Sequence, residues 1–115
     1  MHEQQFPLIE SFLGHLEAER NFSAHTVRSY ASDLEQFCRF LAAGEDPALA
    51  ADEHLTIERL APVEAPAPER LRDRLLALAP LEVRAYLAMM RNSGLAKSTI
   101  ARKLAALRSF YKYLV

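Results

Sequence analysis

The stretch SAHTVRSYASDLEQFCRFLA, residues 23–42, returns in outline as AKSTIARKLAALRSFYKYLV at residues 96–115. In register, Thr26 matches Thr99, Val27 matches Ile100 and Leu34 matches Leu107. Phe37 then matches Phe110, Arg39 matches Lys112, Phe40 matches Tyr113 and Leu41 matches Leu114. Apolar residues three, four and seven apart mark one face of an α-helix, and no stretch of this chain alternates with the period of two that a half-buried strand needs. Two long helices of one pattern must therefore lie on the same core. At 115 residues there is enough chain for one such core and not for two. The expected class is all-α, as one domain over 1–115.

The remaining elements follow from start and stop signals. Pro7 suits the first turn of a helix running to about Arg20, with Leu8, Ile9, Phe12, Leu13 and Leu16 on one face. Asn21 and Phe22 break it. Ser23 is a good N-cap for the next helix, which runs to about Ala43 before Gly44 ends it. Residues 44–68, GEDPALAADEHLTIERLAPVEAPAP, are rich in Ala, Pro and acid and read as a connector with one short helical turn. ERLRDRLLALA adds a short charged helix, so the connector as a whole covers 44–79. Pro80 opens the third principal helix, LEVRAYLAMMRN, which Ser93 and Gly94 stop. The fourth begins near Ser98 and is in full pattern at Val115, as though cut from a longer chain.

Composition excludes several classes. No apolar run approaches the roughly 20 residues of a membrane span, and the polar start MHEQQFPLIE lacks the form of a signal peptide. The single cysteine, Cys38, rules out an internal disulfide and suits a reducing compartment such as the cytoplasm. Its place on the apolar side of a helix marks it as a buried, inert thiol. The formal net charge of -1 conceals an asymmetry. Lys97, Arg102, Lys103, Arg108 and Lys112 stand in residues 97–115 without an acid, while all 15 Asp and Glu lie before them. A basic terminal helix on an acidic body points to an anionic partner, although a solvated charged face has the same composition.

The faces of the two repeated helices sharpen that choice. At 100° per residue, Ile100, Leu104, Leu107, Phe110, Tyr111 and Leu114 share the core side. The other side carries Ala101, Arg102, Ala105, Ala106, Ser109 and Lys112, with Arg108 and Lys103 at its two edges. In the earlier helix Val27, Tyr30, Ala31, Leu34, Phe37, Cys38 and Leu41 turn inward. His25, Arg28, Ser29, Ser32, Gln36 and Arg39 turn outward, with Asp33 and Glu35 at the margins. Each helix thus offers a short cationic strip beside a polar N-terminus, where free backbone N–H groups and the macrodipole favour phosphate. Two such strips fit a DNA major groove. Thr26 and Thr99, at the helix starts, equally suit capping their own helices. Tyr30, Phe37, Phe110 and Tyr111 read as core and not as platforms for stacked bases.

SAHTVRSYASDLEQFCRFL and GLAKSTIARKLAALRSFYKYL resemble the two signature helices of the N-terminal, core-binding domain of tyrosine recombinases, most closely its Xer branch. Phage integrases and Cre are more distant. The resemblance covers residues 7–43 and 80–115, and the pairing of H-T-x-x-x-Y with T-I-x-x-x-L-x-x-L-R-x-F-Y in one short helical chain is fairly specific. It implies a SAM-like orthogonal bundle of four to five helices that forms half of a clamp around a recombination site. Carried over by position, it implies that His25, Thr26, Arg28, Ser29 and Ser32 face DNA from the earlier helix, and Lys97, Ser98, Thr99, Arg102 and Lys103 from the later one. The implied partners are double-stranded DNA and, for the full-length parent, other protomers in a tetramer on two duplexes. The domain alone is expected to be monomeric, nucleoid-associated and without a cofactor.

The family's chemistry uses a tyrosine nucleophile, with arginines, a lysine and histidines around the phosphodiester. Those groups belong to a C-terminal catalytic domain that lies outside these 115 residues. His25–Arg28 does spell H-x-x-R, like one catalytic motif, but it opens a DNA-facing helix in the wrong domain. The chain alone is expected not to be an enzyme. The connector is longer than Xer proteins usually have, and its acids are expected to keep it on the outer side, away from phosphates. The alternative reading is a SAM-like protein-interaction module without DNA binding.

Overall fold

The computed structural model describes residues 6–19, 21–64 and 67–115. Its elements are α1 (Pro7–Glu19), α2 (Ala24–Ala43), α3 (Pro47–Ala50), a 3-10 turn (Ile57–Arg59), α4 (Pro68–Leu76), α5 (Pro80–Asn92) and α6 (Lys97–Leu114). Among the described residues the architecture is all-α: five helices of nine residues or more, with one single-turn helix in the connector.

Each boundary has a local cause. Pro7, Pro68 and Pro80 stand in first turns, where a missing N–H costs nothing. The expected helix end at Arg20 lies outside the described residues. Just beyond it, Asn21 takes a left-handed φ of 57°, a conformation asparagine tolerates, and the Phe22 N–H returns to the Leu16 carbonyl at 3.2 Å. Ser23 caps α2 as expected, its hydroxyl accepting from the Thr26 N–H at 3.2 Å. Gly94, at φ 77°, closes α5: its N–H donates to Arg91 O at 3.0 Å and the Leu95 N–H to Met90 O at 3.3 Å. That pair of bonds is a Schellman motif, and the positive φ is why glycine stands there.

The core is built mainly from α1, α2, α5 and α6. Phe12 of α1 meets Phe110 of α6 at 5.1 Å between ring centroids, and Phe37 of α2 meets Tyr86 of α5 edge-on at 4.9 Å. Cys38 is buried among them, and burial, with Glu35 adding to it, pushes its thiol pKa up to about 12. The buried thiol is therefore protonated and unreactive at neutral pH.

The connector is more than a link. Leu55, Leu60, Leu71 and Leu75 are all buried in the core, each contributing about 1.5–3 kcal/mol of hydrophobic stabilisation. The Ser93 hydroxyl accepts from the Ile57 N–H at 2.8 Å, and the Asn92 amide donates to the carbonyls of Glu53 and Leu55. The segment is thereby fastened to the C-terminal end of α5. Arg72 of α4 donates to Leu114 O at 2.8 Å, covering a carbonyl at the end of α6. The sequence expectation of one short helical turn before the charged helix was too sparing, because acid and proline masked four leucines spaced for burial.

Candidate nucleic-acid interface

α2 and α6, the two repeats, pack against each other, and one buried carboxylate joins them. Asp33 of α2 is 2% exposed. Arg102 reaches it from α6 with two bonds, Nε to Oδ2 at 3.1 Å and a terminal nitrogen to Oδ1 at 2.9 Å. Lys103, the next residue, places Nζ 2.9 Å from the same Oδ1 and 2.9 Å from the Gln36 carbonyl oxygen. The Gln36 amide nitrogen donates in turn to the buried Tyr86 hydroxyl at 3.3 Å, so the network runs through α2, α5 and α6. Burial is the main reason the Tyr86 hydroxyl resists ionisation, with Asp33 adding to it.

Charge accounting separates the two cations. Asp33 and the Lys103 side chain, at 2% and 9% exposure, form a buried and electrically neutral pair. The Arg102 side chain is 46% exposed. Its guanidinium is the surplus charge of the triad and stands at the rim. The hydrogen bonds it donates to Asp33, foremost, hold its pKa above the ordinary arginine value.

This arrangement corrects four placements made from sequence. Lys103, expected to face DNA, is buried on Asp33. Asp33 itself, placed at a margin, lies inside. Ala106, assigned to the outer strip, is 0% exposed. Gln36 is half-buried and spends its amide on Lys103 and Tyr86. Asp33 and Ala106 border the apolar stripes of their helices and Lys103 lies within one, where the neighbouring helix covers them, while Gln36 is drawn in by its bonds to Lys103 and Tyr86. A polar triad whose members are complementary across two helices leaves little trace in either helix alone. The one available signal was an acid in α2 at the place where its repeat has alanine.

The other expected residues stand as follows. His25, Arg28 and Ser32 of α2 are exposed, and Ser29 is half-buried. Ser29 lies one helical turn before Asp33 on the same face. Arg28 precedes Asp33 by five residues, about 7.5 Å along the axis and about 140° round the helix from it. Thr26 is half-buried and takes a hydrogen bond from the Ser23 hydroxyl at 3.1 Å. In α6, Lys97 and Ser98 are exposed and Thr99 half-buried. Ala96 offers no side-chain cap, so the first-turn N–H groups of α6 lack the partner that Ser23 gives α2. Arg39 pairs with Glu35 at 3.0 Å within its own helix. Among the described residues Arg28, Lys97, Arg108 and Lys112 enter no ion pair. No helix of the described residues is long and apolar enough to cross a membrane.

Known proteins give this geometry a family. The family model for the phage integrase N-terminal SAM-like domain matches residues 9–67 and 58–115, and the chain belongs to that family. Among its relatives, the tyrosine recombinase XerC of Chlorobaculum parvum is 36% identical over 107 residues, 93% of this chain and 26% of that protein. XerC of Listeria innocua is 31% identical over 112 residues, 97% of this chain and 29% of its own length. XerC of Pelobacter propionicus is 38% identical over 109 residues, covering 93% and 27%. The chain thus spans between a quarter and a third of the curated relatives it matches. No solved structure matches it.

Proposed function

We propose that the chain is the DNA-binding N-terminal domain of a site-specific tyrosine recombinase, one half of a clamp around a recombination site. α2 and α6 enter the major groove. His25, Thr26, Arg28, Ser29 and Ser32 supply contacts from α2, and Lys97, Ser98, Thr99 and Arg102 from α6. Lys103 takes no part in contact with DNA. Phosphate-ester chemistry belongs to a C-terminal catalytic part of the parent protein, and pairing of two duplexes requires further protomers.

The reading rests above all on one observation: the exposed Arg102 of α6 is held on Asp33 of α2, so a cation stands at the rim of the junction between the two repeated helices. The uncapped first turn of α6 adds phosphate-binding N–H groups beside Lys97. Four or five phosphate contacts predict that duplex affinity falls by roughly two to three orders of magnitude between about 50 and 200 mM salt. Fluorescence anisotropy with a labelled duplex measures this. Arg28→Glu is the cleanest single test, because Arg28 is exposed and unpaired among the described residues. It is expected to abolish binding while the circular dichroism spectrum is unchanged.

One observation favours the interaction-module reading. Leu81 is 71% exposed on the wall of an apolar groove of about 400 Å³ between the end of α2, α3 and α5. Salt-insensitive self-association without duplex binding would establish that reading in place of the first.

A further inference from the structure

We propose that Asp33 is a positioning residue that fixes the Arg102 guanidinium so that its free edge reads a guanine in the major groove. The inference rests on the DNA-binding reading above and adds to it a residue that never touches DNA.

The argument starts from the shape of the guanidinium. It carries five N–H donors in one plane, arranged as a side-on fork that includes Nε and an end-on fork of the two terminal nitrogens. Asp33 takes the side-on fork, at 3.1 Å from Nε and 2.9 Å from one terminal nitrogen. The end-on fork remains, still with a donor on each terminal nitrogen. Because Asp33 is 2% exposed and held by Lys103 as well, the carboxylate cannot turn with solvent. Arg102 is thus pinned in orientation while its side chain keeps 46% exposure.

A pinned fork has a use that a loose one does not. A phosphate attracts a cation from many directions, and a mobile arginine serves it well. Guanine offers O6 and N7 at fixed places on a rigid edge, and a bidentate arginine matches them only in one plane. The net charge of the triad points the same way: Lys103 already balances Asp33, so Arg102 keeps its full cationic character towards the groove. Asp33 therefore restrains the arginine without neutralising it.

The test is selection of duplexes from a fully randomised library by the 115-residue chain, followed by sequencing, with four proteins compared. The wild type is expected to enrich guanine at one position by roughly five- to a hundredfold over the other bases. Arg102→Lys keeps the charge, loses the fork and is expected to lose that preference. Asp33→Asn is combined with Lys103→Met, so that no buried ammonium is left unbalanced. This pair is expected to lose the preference at unchanged helicity and with the salt slope of the wild type. Lys103→Met alone keeps the Asp33–Arg102 bonds and is expected to keep the preference. Retention of the guanine preference in the Asp33→Asn, Lys103→Met protein overturns the proposal. So does a uniform loss across all sequences in Arg102→Lys, which would make Arg102 a phosphate contact. In both cases salt-dependent binding abolished by Arg28→Glu leaves the DNA-binding reading standing. Failure of the wild type to bind any duplex removes both.

Discussion

α2 and α6 share a pattern of apolar residues and differ where they touch. Asp33 and Ala106 occupy the same place in the two repeats, and both are buried, at 2% and 0% exposure. Arg102 and Lys103 likewise stand where α2 has Ser29 and Tyr30. The shared pattern accounts for both helices lying on one core. The departure from it accounts for how they sit on each other, because an acid on one and two cations on the other meet at only one register. Similar helices pack together loosely specified; one triad, buried at Asp33 and Lys103, specifies them.

Replacing that acid by its counterpart from the other repeat is the strongest way to break the comparison. Asp33→Ala leaves the Lys103 ammonium buried without a counter-charge, and a loss of about 3–5 kcal/mol is expected in urea denaturation. Adding Lys103→Met removes the stranded charge and is expected to recover a large part of that loss. An Asp33→Ala protein as stable as the wild type would mean that apolar packing alone sets the register. Enlarging the other member gives a smaller effect. Ala106→Leu forces extra methylenes into a closed helix–helix contact, at an expected cost of about 1–3 kcal/mol by the same measurement.

The two helix starts also differ. Ser23 caps α2, whereas Ala96 leaves the start of α6 open. Ser23→Ala is expected to destabilise by about 1 kcal/mol. Ala96→Asp is expected to stabilise by a similar amount while weakening duplex binding, since its carboxylate takes the N–H groups and repels phosphate. Thermal unfolding and anisotropy on one protein thus give opposite signs. Stabilisation with duplex binding unchanged would show that the α6 start stands clear of the DNA.

The same contrast explains what was legible beforehand. Apolar spacing marked α1, α2, α5 and α6 with boundaries within about two residues, because Pro7, Ser23, Pro80 and Gly94 act locally. The connector was legible only in part, since the burial of Leu55, Leu60, Leu71 and Leu75 depends on surfaces that other elements provide. In the candidate site, exposed His25, Arg28 and Ser32 were readable from a single helical wheel, and exposed Lys97 and Ser98 from the family resemblance. The fate of Lys103 was not. A lysine in an apolar stripe faces water unless a partner covers it, and that partner, Asp33, lies about 70 residues away in the chain.

A paired acid outside the α2–α6 junction shows how different such a group is when solvent reaches it. Glu82, on the first turn of α5, accepts from Arg74 and from the Ala79 N–H at 2.8 Å, and its side chain is 32% exposed. Arg74 first, then that backbone bond, hold its pKa below the ordinary value of 4.5. A lowered folded pKa stabilises the protein above the unfolded value, and the contribution is lost as pH falls through the folded one. Glu82→Gln keeps an oxygen for Ala79 but not the charge for Arg74, so a loss of about 0.5 kcal/mol is expected at neutral pH. The gap between the two proteins should close as pH drops below 4.5, the unfolded carboxylate value, in denaturation at a series of pH values. A gap that persists in acid would assign the effect of Glu82 to its cap and not to its ion pair. The cost of losing an ion-paired carboxylate would then depend, here as at Asp33, on what its departure leaves buried.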